Sequence, residues 1–142
     1  MKHTLELDGT PVTFEASEND AEAVKRIASD LLGMRGFVNL DAEDIVSVLD
    51  RAEIIAAGEG TASGDDKVRA AALEAMRNIP GISGAKSLIV EVVSGFDTFL
   101  AEISDAASTV EAECGDAVNI VWGHALDGDM DDSVRVNIIA VA

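Results

Sequence analysis

The sequence predicts an α/β fold in two layers: a mixed sheet of about four strands with a helix pair on one face, preceded by another helix and a short N-terminal hairpin. Three observations carry that reading. Residues 88–93 and 134–141 are near-continuous apolar, β-branched runs of strand length. Apolar residues recur at helical spacing in the segments between such runs, as at Val24, Ile27, Ala28 and Leu31. Turn signals punctuate them, among them Asp8-Gly9, Gly33 and Pro80-Gly81.

In chain order, residues 4–7 and 12–14 alternate apolar and polar about Asp8-Gly9, a hairpin signal that puts Leu5, Leu7, Val12 and Phe14 on one face. Ser17 then offers its hydroxyl as an N-cap, and acids follow it into an amphipathic helix that ends near Gly33. A second helical start lies at 42–48. Residues 52–57 read as a strand, terminated by Gly58-Glu59-Gly60. Ser63-Gly64-Asp65-Asp66 opens a helix whose stripe is Val68, Ala71, Ala72, Ala75, Met76 and Ile79, stopped by Pro80-Gly81. After the strand at 88–93, Phe96, Phe99, Leu100, Ile103, Ala107 and Val110 repeat at helical spacing as far as Ala112. Strands at 117–122 and 134–141 close the chain around a polar loop at 127–133. Alternating elements of this kind call for one sheet with helices packed on it. With 142 residues and 48% hydrophobic content, the chain suffices for a single core. Residues 1–16 form a hairpin extension and 17–142 the domain proper.

Ten Lys and Arg stand against 27 Asp and Glu, a net charge of −17, and the cations never cluster. Neutralising successive phosphates needs such a cluster, so neither nucleic acid nor an anionic membrane is an expected partner. The acidic surplus resembles the bias of proteins that work in concentrated salt, where self-repulsion is screened. Apolar runs are too short to span a bilayer, and a cytoplasmic location is expected. A lone cysteine, Cys114, excludes an internal disulfide and reads as a buried structural thiol.

Candidate chemistry is sparse. Asp127-Gly128-Asp129-Met130-Asp131-Asp132 begins like a calcium loop, but Asp132 stands where the turn glycine belongs and Ile138 where the bidentate glutamate belongs, so a solvated turn is expected. His3 and His124 have no evident partners, and His124, at a strand end, reads as a surface or edge residue. Gly58-Glu59-Gly60 and Gly81-Ile82-Ser83-Gly84 are too short to cradle a triphosphate. No metal or cofactor is expected.

Three segments, in order and at matching spacing, carry a family resemblance. Residues Gly36-Phe37-Val38-Asn39-Leu40-Asp41-Ala42-Glu43-Asp44-Ile45 resemble the FtsZ synergy loop, Gly-Leu-Ile-Asn-Val-Asp-Phe-Ala-Asp-Val. Gly60-Thr61-Ala62-Ser63-Gly64-Asp65-Asp66 resembles the FtsZ segment entering the first helix of its C-terminal domain. Asn119-Ile120-Val121-Trp122-Gly123, Leu126-Asp127 and the stretch from Met130 to Val136 resemble its last two strands and their connection. The resemblance runs from about Ala21 to Ala142 and implies an FtsZ/tubulin C-terminal-domain fold without the GTP-binding half.

In FtsZ polymers the synergy loop of one subunit meets the nucleotide of the next, where its acids help to position the attacking water. By position, the resemblance carries that role to Asn39, Asp41 and Asp44. A carboxylate supplied in trans can orient water without a nucleotide site of its own. The competing reading is that Asp41 and Asp44 cap the short helix beginning at Ala42. Ala42 and Glu43 stand where the family has Phe and Ala. The implied function is that of a non-enzymatic FtsZ-like accessory protein that binds or caps FtsZ filaments through its synergy-loop face in cell division. The alternative is a self-associating binding domain of the same fold, unconnected with GTP hydrolysis.

Overall fold

The computed structural model describes residues 1–142 and contains six strands and five helices. Strands β1 (Lys2–Leu7) and β2 (Thr10–Glu15) form the expected hairpin, with Asp8 and Gly9 both at positive φ, as a tight primed turn requires. Helix α1 (Glu18–Gly33) is capped by Ser17, whose Oγ accepts the Asp20 N–H at 3.2 Å. The short α2 (Ala42–Leu49) precedes β3 (Ala52–Ser63), and α3 (Lys67–Arg77) precedes β4 (Ser87–Ser94). Helices α4 (Leu100–Ile103) and α5 (Asp105–Cys114) then lead to β5 (Asn119–Leu126) and β6 (Ser133–Val141).

All six strands form one mixed sheet in the order β1-β2-β3-β6-β4-β5, two more than the expected four. The hairpin accounts for the difference, because β2 pairs in parallel with the start of β3 at Phe14↔Ala52 and Glu15↔Glu53. β6 lies antiparallel between β3 and β4, and β5 pairs in parallel with β4 at the opposite edge.

Side-chain alternation divides the core. Leu88, Val90, Val92, Val134, Val136, Ile138 and Ala140 point to one face, where α3 and α5 form the expected helix pair through Ala71, Ala72, Ala75, Ala106 and Val110, joined by Ile103 of α4. Ile89, Ile139 and Val141 point to the other, under α1 and α2. Leu7, Val12 and Phe14 of the hairpin belong to this second core, so the hairpin face packs with α1. Burial on both sides explains why β4 and β6 read as unbroken apolar runs.

Two local features differ from the sequence expectation. Gly58 and Gly60 do not end a strand, because β3 runs through both to Ser63, pairing Gly58 with Ile138 and Gly60 with Val136. A Cβ at Gly58 would overlap the Ala75 carbonyl, and one at Gly60 the Ala71 carbonyl. The glycines let α3 lie directly on the strand. The helix expected from Phe96 begins only at Leu100, where Glu102 Oε1 accepts the Phe99 N–H at 3.4 Å. Thr98 is buried in place of its aromatic neighbours, and Ile103, Ala106 and Val110 make the inward stripe. No helix is long and apolar enough to cross a membrane.

Candidate functional site

Residues 34–41 connect α1 to α2 and lie along the open edge of β5. The loop docks there almost as a further strand: Arg35 bridges Ala125, and the His124 N–H donates to the Val38 carbonyl at 2.7 Å. Leu40 is buried against the bare backbone of Gly123, and Arg35 Nη1 donates to the Leu40 carbonyl at 3.4 Å.

Asn39 closes the loop on itself. Its Oδ1 accepts the Gly36 N–H and its Nδ2 donates to the Gly36 carbonyl, both at 2.9 Å. Asp44 Oδ2 accepts the Asp41 N–H at 3.0 Å, the return arm of a capping box at the start of α2. Two of the three residues singled out in the sequence thus spend side-chain atoms shaping the loop. The Asp41 carboxylate is exposed, at the N-terminus of α2, where the helix dipole favours negative charge. All three side chains are exposed and stand within one short turn of chain.

His124 was expected at a surface or strand edge. It does lie on the edge strand, but it is 1% exposed because the loop covers it. The Phe37 N–H donates to His124 Nδ1 at 3.0 Å, and the Phe37 ring stacks on the imidazole at 5.4 Å between centroids. With Nδ1 accepting, the ring proton sits on Nε2, which donates to Ser94 Oγ at 2.6 Å. Ser94 in turn donates to the Gly95 carbonyl at 3.3 Å. Burial holds the His124 pKa below its ordinary 6.5, so the neutral tautomer is the resting form. Gly36 is required beneath it, since a Cβ there would overlap the imidazole. This clamp joins residues 87 positions apart and left no local signal in the sequence.

Phe37, Phe96, Phe99 and Leu100 are 59%, 73%, 71% and 49% exposed. They gather at one end of the sheet, where parallel β4 and β5 finish: Phe37 rests on His124, which is bonded to the last residue of β4, and the other three follow that residue within one turn and the start of α4. Three of the four phenylalanines in the chain therefore face solvent, Phe37 on the loop and Phe96 and Phe99 after β4. Soluble domains seldom leave such a cluster bare without a partner for it.

The acidic stretch near residue 130 has structural partners instead. Asp127 Oδ1 accepts the Asp129 N–H at 3.0 Å, and Asp132 pairs with buried Lys67 at 3.3 Å while accepting the Gly64 N–H at 3.1 Å. Cys114 is half-buried, and burial together with neighbouring Glu113 pushes its thiol pKa up, away from reactivity.

Residues 53–142, more than half of the chain, match the FtsZ family, C-terminal domain. The chain belongs to the FtsZ family. It is 32% identical over 131 residues to the cell division protein FtsZ of Wolbachia pipientis, covering 89% of this chain and 42% of that protein. Against FtsZ 1 of Archaeoglobus fulgidus it is 28% identical over 127 residues, covering 87% of this chain and 34% of that one. Matches of this extent necessarily take in the loop at 36–45. Among solved structures, an empty FtsZ dimer of M. jannaschii superposes with a TM-score of 0.75 at 23% identity, over 85% of this chain and 36% of that one. The GDP-form protofilament structure of TubZ from Bacillus thuringiensis serovar israelensis gives 0.61 at 12% identity, over 86% and 33%. These two likenesses establish the FtsZ-type C-terminal fold, with the helices α3 and α5 on the mixed sheet. The chain spans well under half the length of the FtsZ relatives it matches.

Proposed function

We propose that these 142 residues act without nucleotide chemistry of their own, as an FtsZ-type partner in cell division that docks on another FtsZ-family subunit through the end face carrying Phe37, Phe96, Phe99, Leu100 and the loop 36–44. The observation that carries this is the set of exposed Phe side chains at the sheet end that carries a loop shaped by its own side chains, with Asp41 exposed as the N-cap of α2. An interface needs apolar anchors to supply affinity and a small number of placed polar groups to supply register. In this reading Asp41 meets a nucleotide held by the partner, while Asn39 and Asp44 shape the chain on either side of it. That solved relatives are described as a dimer and as protofilaments supports a fold whose surfaces engage further copies.

The test mixes the chain with full-length FtsZ from the same cell at that cell's ionic strength, and reads GTPase rate and filament length. Substoichiometric chain is expected to shorten filaments while sustaining hydrolysis at the terminal interface. The double variant Phe96→Ala/Phe99→Ala, altered only at exposed positions, is expected to lose both effects. Asp41→Ala should lose the effect on hydrolysis alone, at a stability cost within the ~0.5–2 kcal/mol of a lost helix cap. Titration of the isolated chain with GTP and magnesium should release no binding heat. If wild-type chain changes neither rate nor length, yet light scattering shows a dimer that the Phe variant disrupts, the face joins copies of this chain and the FtsZ-partner reading is wrong.

A further inference from the structure

The imidazole of His124 lies between two separate parts of the chain and satisfies both. On one side Nδ1 accepts the Phe37 N–H of the acidic loop, and on the other Nε2–H donates to Ser94 Oγ at the end of β4. Phe37 stacks on it with ring planes 10° apart, and Gly36 leaves no room for any atom between loop and ring. This arrangement works for one protonation state only. A second proton would have to go on Nδ1, turning the acceptor into a donor aimed at another N–H.

We propose that His124 is a positioning residue for the loop 36–44: neutral, it latches Gly36-Phe37 in the docked form, and protonation at Nδ1 releases that segment. The Val38 carbonyl, held by the His124 backbone N–H, and buried Leu40 then serve as the hinge that keeps the rest of the loop attached. Release moves Phe37, an exposed ring of the aromatic end face, and breaks the frame on which Asn39 closes the loop at Gly36. The ionisable groups carried by the surrounding segments are Arg35 and Asp41 on the loop side, Asp30 on α1, Glu91 on β4, Asp97 in the turn after it, Glu102 on α4 and Asp127 beyond β5. None of them forms a hydrogen bond or ion pair with the ring, whose pKa is lowered by burial. A histidine with a lowered folded-state pKa keeps its native contacts above the ordinary 6.5 and loses them as pH falls through the lower folded value.

The latch is a property of the chain alone, so its test needs no partner and its failure is distinguishable from failure of the docking proposal. Amide exchange is followed by NMR on the full chain between pH 8 and 4.5, corrected for intrinsic rates, with the Leu49 amide in α2 as a reference for global opening. The Phe37 amide is expected to lose at least tenfold of its protection as the His124 ring titrates, while Leu49 does not follow it. His124→Asn, whose Oδ1 can take the place of Nδ1 and does not titrate, should keep Phe37 protected across the whole range. His124→Phe keeps the stacking but removes the acceptor, and should leave Phe37 unprotected at every pH. Phe37 protection that is independent of pH in the wild type, or lost in parallel with Leu49, overturns the proposal. So does His124→Asn tracking the wild-type profile, a comparison that stands even if His124→Phe does not fold.

Discussion

Glu91 is the most consequential charge in the core. It sits in the middle of β4, fully buried, with Oε1 accepting the Asn137 Nδ2–H at 2.7 Å from β6. Its Oε2 and the Asn137 Oδ1 have no partner. Burial pushes the Glu91 pKa from 4.5 up to about 7, with the Asp30 carboxylate adding to the rise and the Asn137 bond, Arg135 and Arg26 opposing it. A rise of that size corresponds to about 3 kcal/mol of differential stabilisation of the neutral acid. The folded-state value lies above the unfolded one, so the contribution is complete below about pH 4.5 and is lost as pH rises through about 7. Glu91→Gln keeps the Oε1 acceptor, cannot ionise, and places an amide donor where the unpartnered Oε2 stands. The variant should match wild type within ~1 kcal/mol at pH 5 and exceed it by about 3 kcal/mol at pH 8. For a domain of this size that is a melting-temperature gain on the order of 8 °C. Urea unfolding followed by circular dichroism at pH 5, 6, 7 and 8 measures it. An offset that is the same at every pH, or a less stable Gln variant at pH 8, refutes the argument that the ionised carboxylate is the source of strain.

Two further outcomes follow from packing and charge. Gly60→Ala should destabilise the domain by at least ~1–3 kcal/mol in denaturant unfolding, because the new methyl meets helix backbone that cannot move aside. Gly84→Ala, where nothing lies within 4 Å, is the control and should stay within ~0.5 kcal/mol; equal effects would mean α3 does not rest on β3 as described. With a net charge of −17, the melting temperature should climb as potassium chloride rises from about 0.1 M to 1 M, where the screening length shrinks from ~10 Å to ~3 Å. A calorimetric scan series showing no rise would mean that self-repulsion is not what limits stability.

Which elements form, and in what order, was legible in the residues because each element is decided locally. Asp8-Gly9 accepts positive φ and turns the hairpin, Ser17 caps its helix from three residues away, and near-continuous apolar runs fill strands buried on both faces. The family resemblance singled out Asn39, Asp41 and Asp44, which lie where the loop enters α2, Asp44 in the first turn of that helix. What the residues did not disclose depends on groups far apart in the chain. Gly58-Glu59-Gly60 looked like a strand end because a glycine pair reads as a break until a helix carbonyl from eleven or more positions further on occupies the space above it. Phe96 and Phe99 fell on the helical period of Ile103 and Val110, but periodicity does not say where a helix starts, and the turn that buries Thr98 turns both rings outward. His124 became buried only when a loop 87 residues earlier folded over it, and Glu91 acquired its raised pKa only from the sheet that encloses it. Local backbone preference selects the elements. Burial, protonation and the exposed face are set by which elements meet, and those energies arise from contacts that no short window of sequence contains.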